Sequence, residues 1–147
     1  MARTVKDYMD FVANVIQNIP NQTEGVLKRN QQKILDLNRQ DQLYSDGEAS
    51  TGIKLKEYSP FTIEIKQLLG QPYDRTTLFY SGDFYKSFAM EIDKTNYTLT
   101  IYATDRKVPK LILTYGADIF GLNTDNQHIL NEKILKPELI KYIKTWL

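Results

Sequence analysis

The chain has no cysteine, one histidine and one tryptophan among its 147 residues. Without cysteine there can be no disulfide framework, thiolate nucleophile or Cys-ligated zinc. An excess of charge is lacking too. Nineteen Lys and Arg stand against 18 Asp and Glu, a net charge of +1, which argues against a nucleic-acid binder working through a broad basic surface. No apolar run approaches the roughly 18 residues of a membrane span. The opening MARTVKDYMDF lacks the basic-then-apolar order of a signal peptide. The expected compartment is therefore a cytoplasm, and the sequons at Asn21 and Asn96 read as chance matches. The seven glycines form no G-x-G-x-x-G and no Walker spacing.

What is present suits one globular domain over residues 1–147, able to bury about two-thirds of its unfolded surface. Ten tyrosines and many Asn and Gln stand out. Tyrosine has a flat apolar face and a polar tip, which fits both a half-wet subunit contact and the edge of a core. Residues 4–19 place Val5, Tyr8, Met9, Val12, Val15, Ile16 and Ile19 at helical spacing, and Pro20 is expected to end that helix. Ordering its backbone costs about 1–2 kcal/mol per residue, so the helix needs a partner surface. A second helix is expected over about 23–37, where Asn30 and Gln31 interrupt the stripe of Val26, Leu27, Ile34 and Leu37; this suits a helix packed partly on its own domain and partly on a neighbour, or, the favoured reading, a solvated one. Residues 1–40 thus read as a helical N-terminal region.

Turn residues at Asp46-Gly47 and Gly52 make residues 42–56 an extended arm or hairpin. An α+β core is expected over residues 59–147. Ser59-Pro60 opens a helix that Gly70 stops. The segment TLFYSGDFYKSF, residues 77–88, holds five aromatics, and Ser81 is placed to cap a short helix through Ser87. Phe88, Met90 and Ile92 alternate along one run and Tyr97, Leu99, Ile101 and Ala103 along the next, predicting an antiparallel hairpin that turns at residues 93–96. A short helix over residues 110–115 ends at Gly116, and an amphipathic helix from about 125 to 146 should kink or split at Pro137. The fold class expected is α+β, a small antiparallel sheet flanked by N-terminal, middle and C-terminal helices.

Catalytic groups do not assemble in the sequence. His128 has no nearby partner for a triad or zinc site and reads as an exposed helix residue. Asp46 and Glu48 alone approach the alternation of a calcium loop. No cofactor, metal or catalytic residue is expected, and the chain reads as a non-enzyme. Lys133, Lys136, Lys141 and Lys144 read as a solvated face. Two other readings stay open: a hydrolase drawing on Asp46, Glu64, Asp83 and Asp118, and a DNA-contacting adaptor with Lys28, Arg29 and Lys33 along a channel.

Three short motifs, in order, carry a resemblance: residues 77–88 entering a hairpin, Tyr115-Gly116 ending a helix, and residues 119–123 leading into the last helix. Over residues 40–147 the chain resembles the tail-completion or head–tail connector proteins of tailed bacteriophages. Ser81-Gly82 stands where that family has Thr-Gly, and Phe120-Gly121-Leu122 is one residue shorter than its FLGL. The N-terminal region and SDGEASTG are similar to versions from phages of gut bacteria related to Bacteroides. The resemblance implies a virion structural protein assembled in the host cytoplasm. It implies a six- or twelve-fold homo-oligomeric ring in the neck or tail, between portal or adaptor and tail proteins, with DNA in its lumen and no membrane contact. It implies a capping turn at Ser81-Gly82, core plugs at Phe84 and Phe88, structural roles for Tyr115, Gly116, Phe120 and Gly121, and Tyr44, Tyr80, Tyr85 and Lys86 at the rim for a neighbouring copy.

Overall fold

α1 (Val5–Arg29) begins at Thr4, whose hydroxyl accepts from Asp7 N at 3.2 Å while the Asp7 carboxylate accepts from Thr4 N at 2.6 Å. This reciprocal box satisfies donors that a helix start leaves unpaired. The structure is a computed structural model describing residues 4–146; residues 1–3 and 147, the ends of the expected domain, lie outside the described residues. The expected stop at Pro20 does not occur, because the proline lies inside α1. It withholds one bond from the Ile16 carbonyl, a defect of about 3 kcal/mol. Val26 and Leu27 are buried one to two turns on and together contribute about 3–6 kcal/mol, so the helix runs through.

Asn30 closes α1 and is followed by α2 (Gln31–Asp36) and a π-helical segment, Leu37–Asp46. The expected solvated helix is overturned here. Ile34 and Leu35 expose nothing, and Leu37 and Leu43 are buried with them at the centre of the molecule. Nor are residues 42–56 an extended arm. Their first part is helical, Gly47 turns the chain at φ 62°, and one isolated bridge joins Glu48 to Lys54. Backbone bonds fasten the loop down, Ser50 N to Asp118 O at 2.7 Å and Leu55 N to Gly47 O at 2.8 Å.

α3 (Pro60–Leu68) starts as expected, with Ser59 Oγ accepting from Thr62 N at 3.2 Å. α4 (Asp83–Lys86) leads into the sheet. β1 (Phe88–Asp93) pairs antiparallel with β2 (Thr98–Ala103), Phe88 opposite Ala103 and Asp93 opposite Thr98. The Asp93 carboxylate accepts from Thr95 N at 2.9 Å and Asn96 N at 3.2 Å, which turns the hairpin. Tyr97 belongs to that turn rather than to the inner face: its φ is 54° and it is 81% exposed.

α5 (Val108–Tyr115) ends at Gly116, and a 3-10 turn, Ala117–Ile119, follows. The last helix is α6 (Thr124–Ile129), a π-helical segment Leu130–Leu135, and α7 (Lys136–Lys144). Widened turns thus precede Pro137, where a regular helix would press its ring on a carbonyl. Phe11 meets Trp146 with ring centroids 6.3 Å apart, and Arg29 reaches Glu138 at 3.9 Å. α1 and α7 therefore lie antiparallel. The fold is α+β, a small antiparallel sheet flanked by helices.

Candidate functional site

Residues 77–88 explain their own aromatic content. Phe79, Tyr85, Phe84 and Phe88 form a chain of tilted and edge-on rings, closed at one end by Tyr44 and at the other by Phe120, with successive centroids 5.1–6.0 Å apart. Tyr85 is not at the rim, as the resemblance implied, but 4% exposed. Phe84 and Tyr85 are neighbours on α4, and Phe88, the first residue of β1, packs against both rings, so all three point inward together. Tyr44 is half-buried under the Arg75 guanidinium, 5.8 Å from its ring. Of the four implied rim residues only Tyr80 and Lys86 are exposed.

The Tyr85 hydroxyl donates to the Thr77 carbonyl, and burial raises its phenol above the ordinary value, near 10 in an unfolded chain. The folded chain then keeps a proton that the unfolded chain releases. This contribution to stability is intact below about pH 10 and is lost as pH rises further. Tyr85→Phe should flatten the fall in urea midpoint between about pH 9.5 and 11. An unchanged alkaline slope would exonerate this phenol.

Ser81 does not hold the N-cap position; Gly82 does, at φ 91° and ψ −7°, with Ser81 Oγ accepting from Asp83 N at 3.4 Å. A Cβ on Gly82 would meet Phe79 at 3.4 Å, an ordinary contact. Glycine is needed here for its left-handed backbone rather than for close approach. Gly82→Val should destabilise by about 1–3 kcal/mol through backbone strain, read as a urea midpoint shift. A midpoint like that of the parent chain would show the turn relaxing at no cost.

Beside this turn lies a groove of about 380 Å³ between α3, residues 78–82 and α5. Ile65, Leu78, Phe79, Leu111 and Tyr115 line it, with Tyr80 and Lys107 at its edge, 5.2 Å apart as a cation over a ring. Two residues that sequence reasoning missed hold its wall. Tyr58 Oη accepts from Thr77 N and Leu78 N, each at 3.0 Å, fixing Leu78 at φ 60°. Lys66 is 5% exposed, and its ammonium donates to Gln71 Oε1 at 2.9 Å and to the Phe79 carbonyl. Nothing in a lysine four residues before a glycine stop announces a buried ammonium.

Residues 119–123 are positioned by a network of buried amides. Asn38 donates to Ile119 O at 3.0 Å and accepts from Gly121 N at 2.8 Å. Gln42 donates to Gly121 O at 3.0 Å and accepts from Asn123 N at 2.8 Å. Gly121 needs its φ of 105°, and a Cβ there would press Ser50 at 3.3 Å. Phe120 is half-buried on Phe84 and Phe88, while its neighbour Ile119 exposes nothing. Gly116, at φ 94°, lies where a Cβ would meet Asp118 Oδ1 at 2.7 Å.

The other candidates are scattered. Asp46, Glu64 and Asp83 are exposed, Asp118 is half-buried, and none of the four lines the groove. Among the described residues no three His, Cys, Asp or Glu are grouped to hold a metal. His128 is exposed on α6, as are the four lysines of the last helix. Lys28 pairs with Glu24 at 2.6 Å and Arg29 with Glu138 at 3.9 Å. No described helix is long and apolar enough to cross a membrane.

Among the described residues two apolar faces remain uncovered. On α1, Val5, Tyr8, Met9, Val12 and Ile16 are 49–77% exposed, and of the predicted stripe only Val15 is buried. On α3, Phe61, Leu68 and Leu69 are 70%, 87% and 49% exposed. The polar side of the hairpin and the solvated lysines offer nothing comparable. No protein-family model, curated protein or solved structure matches the chain.

Proposed function

We propose that the protein is a non-enzymatic structural subunit of a tailed-phage virion, forming a closed ring of identical copies in the neck or tail between portal or adaptor and tail. The observation that carries this reading is the apolar stripe of α1, five large side chains that folding leaves in water. A chain of net charge +1 has little self-repulsion to keep such surfaces apart. Apolar stripes of this kind on a monomer mark sites of association. The groove beside Gly82 supports the same reading: it is lined by rings and aliphatic groups, and its charged lining residues are two lysines. The motif order of residues 77–123 supplies the phage context.

Negative-stain imaging and native mass spectrometry of the purified chain across micromolar concentrations should show closed rings. Peptide mapping of purified particles should find the chain in stoichiometric amount. A chain that stays monomeric and is absent from particles overturns the proposal.

A further inference from the structure

The two uncovered faces belong to different helices and differ in shape. The α1 stripe, from Val5 to Ile16, is a convex ridge about 17 Å long at 1.5 Å per residue. The α3 face, from Phe61 to Leu69, is about 12 Å long and is continuous with the groove. Ile65 lies between Phe61 and Leu69 on the helix surface and also lines the groove. One wall of a concave apolar site thus stands next to its floor of Leu78, Phe79, Leu111 and Tyr115. A ridge with anchors at i, i+3, i+4, i+7 is the shape such a groove receives.

We infer that the α1 stripe of one copy seats in the α3–α5 groove of the next copy, so that a single head-to-tail contact covers both faces; this rests on the ring reading for closure only. From their exposures, the eight side chains offer about 600 Å² of apolar surface. In interfaces that are about 57% apolar, this corresponds to roughly 1,000–1,100 Å² in all, at the lower bound for a biological contact. Pairing of α1 with α1 would leave Phe61, Leu68 and Leu69 in water. Two different mating surfaces make the contact heterologous, and such contacts form rings when their rotation closes.

The test uses two variants of the full chain, Met9→Lys with Val12→Lys on the stripe and Leu68→Lys on the exposed α3 face beside the groove. All three positions are at least 49% exposed, so the urea melts of both variants should match the parent. Each variant alone should associate roughly tenfold or more weakly than the parent in sedimentation velocity. Mixed, they should form a 1:1 heterodimer that does not grow, since one supplies an intact groove and the other an intact stripe. A groove variant that still dimerises alone, with nothing gained on mixing, overturns the inference in favour of α1 pairing with itself. Parent-like assembly by both variants overturns it as well, and leaves the ring reading standing if rings are seen. A 1:1 heterodimer from variants whose parent forms only open chains upholds the pairing while the ring reading falls.

Discussion

Gln42→Leu should lower the stability of the chain by about 3–5 kcal/mol, although it replaces a polar side chain by an apolar one in a fully buried place. Gln42 exposes nothing, and its amide serves three partners: Gly121 O, Asn123 N and, at 3.2 Å, the Asn126 amide. Leucine fills most of the volume but leaves a carbonyl and an amide of residues 121–123 without their partner. Each buried group so orphaned costs about 1–3 kcal/mol. A domain of this size holds about 5–15 kcal/mol in total, so the variant should be far nearer unfolding, with its urea midpoint lowered and its m-value unchanged. Gln127→Ala is the control. That side chain donates once, to Leu122 O at 2.8 Å, from an exposed position, and its loss should cost about 0.5–1 kcal/mol. Equal midpoints for the two variants would show that the amide network does not hold the loop.

This network is also where sequence reading was blindest. Asn38 and Gln42 sit four residues apart beyond the end of the expected second helix, and their π-helical turns bring both amides inward. Hydrophobic periodicity counts an inward amide as a break in the stripe. No pattern within residues 30–46 reveals that the acceptors and donors waiting for it lie some 80 residues away. For the same reason Asn30 and Gln31 made the second helix look wet when Ile34 and Leu35 lie at its centre. Lys66 escaped similarly, because its partners are the Phe79 carbonyl thirteen residues on and the Gln71 amide beyond the helix end.

Local signals were far more legible. Ser59-Pro60 opened a helix, Gly116 closed one, and the alternation of residues 88–103 marked a hairpin, because caps, turns and pleats are set by neighbours in the chain. The α1 stripe was legible as a pattern but not as a fate. Its periodicity asked for a partner surface, and within one copy only Val15 finds it. Pro20 misled because a proline's local cost is smaller than the burial gained beyond it. Tyr85 was placed at the rim by the resemblance, whereas its place on α4 beside Phe84 turns its ring onto Phe79 and Phe88.

Phe84→Ala should be the most damaging truncation in the 77–88 segment, at about 3–5 kcal/mol. Its ring is 5% exposed and lies 5.1 Å from Phe88, 6.0 Å from Tyr85 and 6.0 Å from Phe120 by centroid. It is the junction at which the short helix, the first strand and the loop before α6 meet. Alanine removes the transfer energy of the ring and also leaves a cavity that three rings cannot close without moving the elements that carry them. Tyr80→Ala, four residues earlier and 58% exposed, should stay within about 0.5 kcal/mol of the parent. Because Phe84→Ala could leave too little folded chain to titrate, Phe84→Leu gives the graded reading, expected to fall between the two. A cycle pairing Phe84→Leu with Phe120→Leu should show coupling of about 0.5–1.5 kcal/mol if the rings act as neighbours. Additive losses in that cycle would mean that residues 119–123 are held by the amides alone, and that the aromatic chain supports only the hairpin.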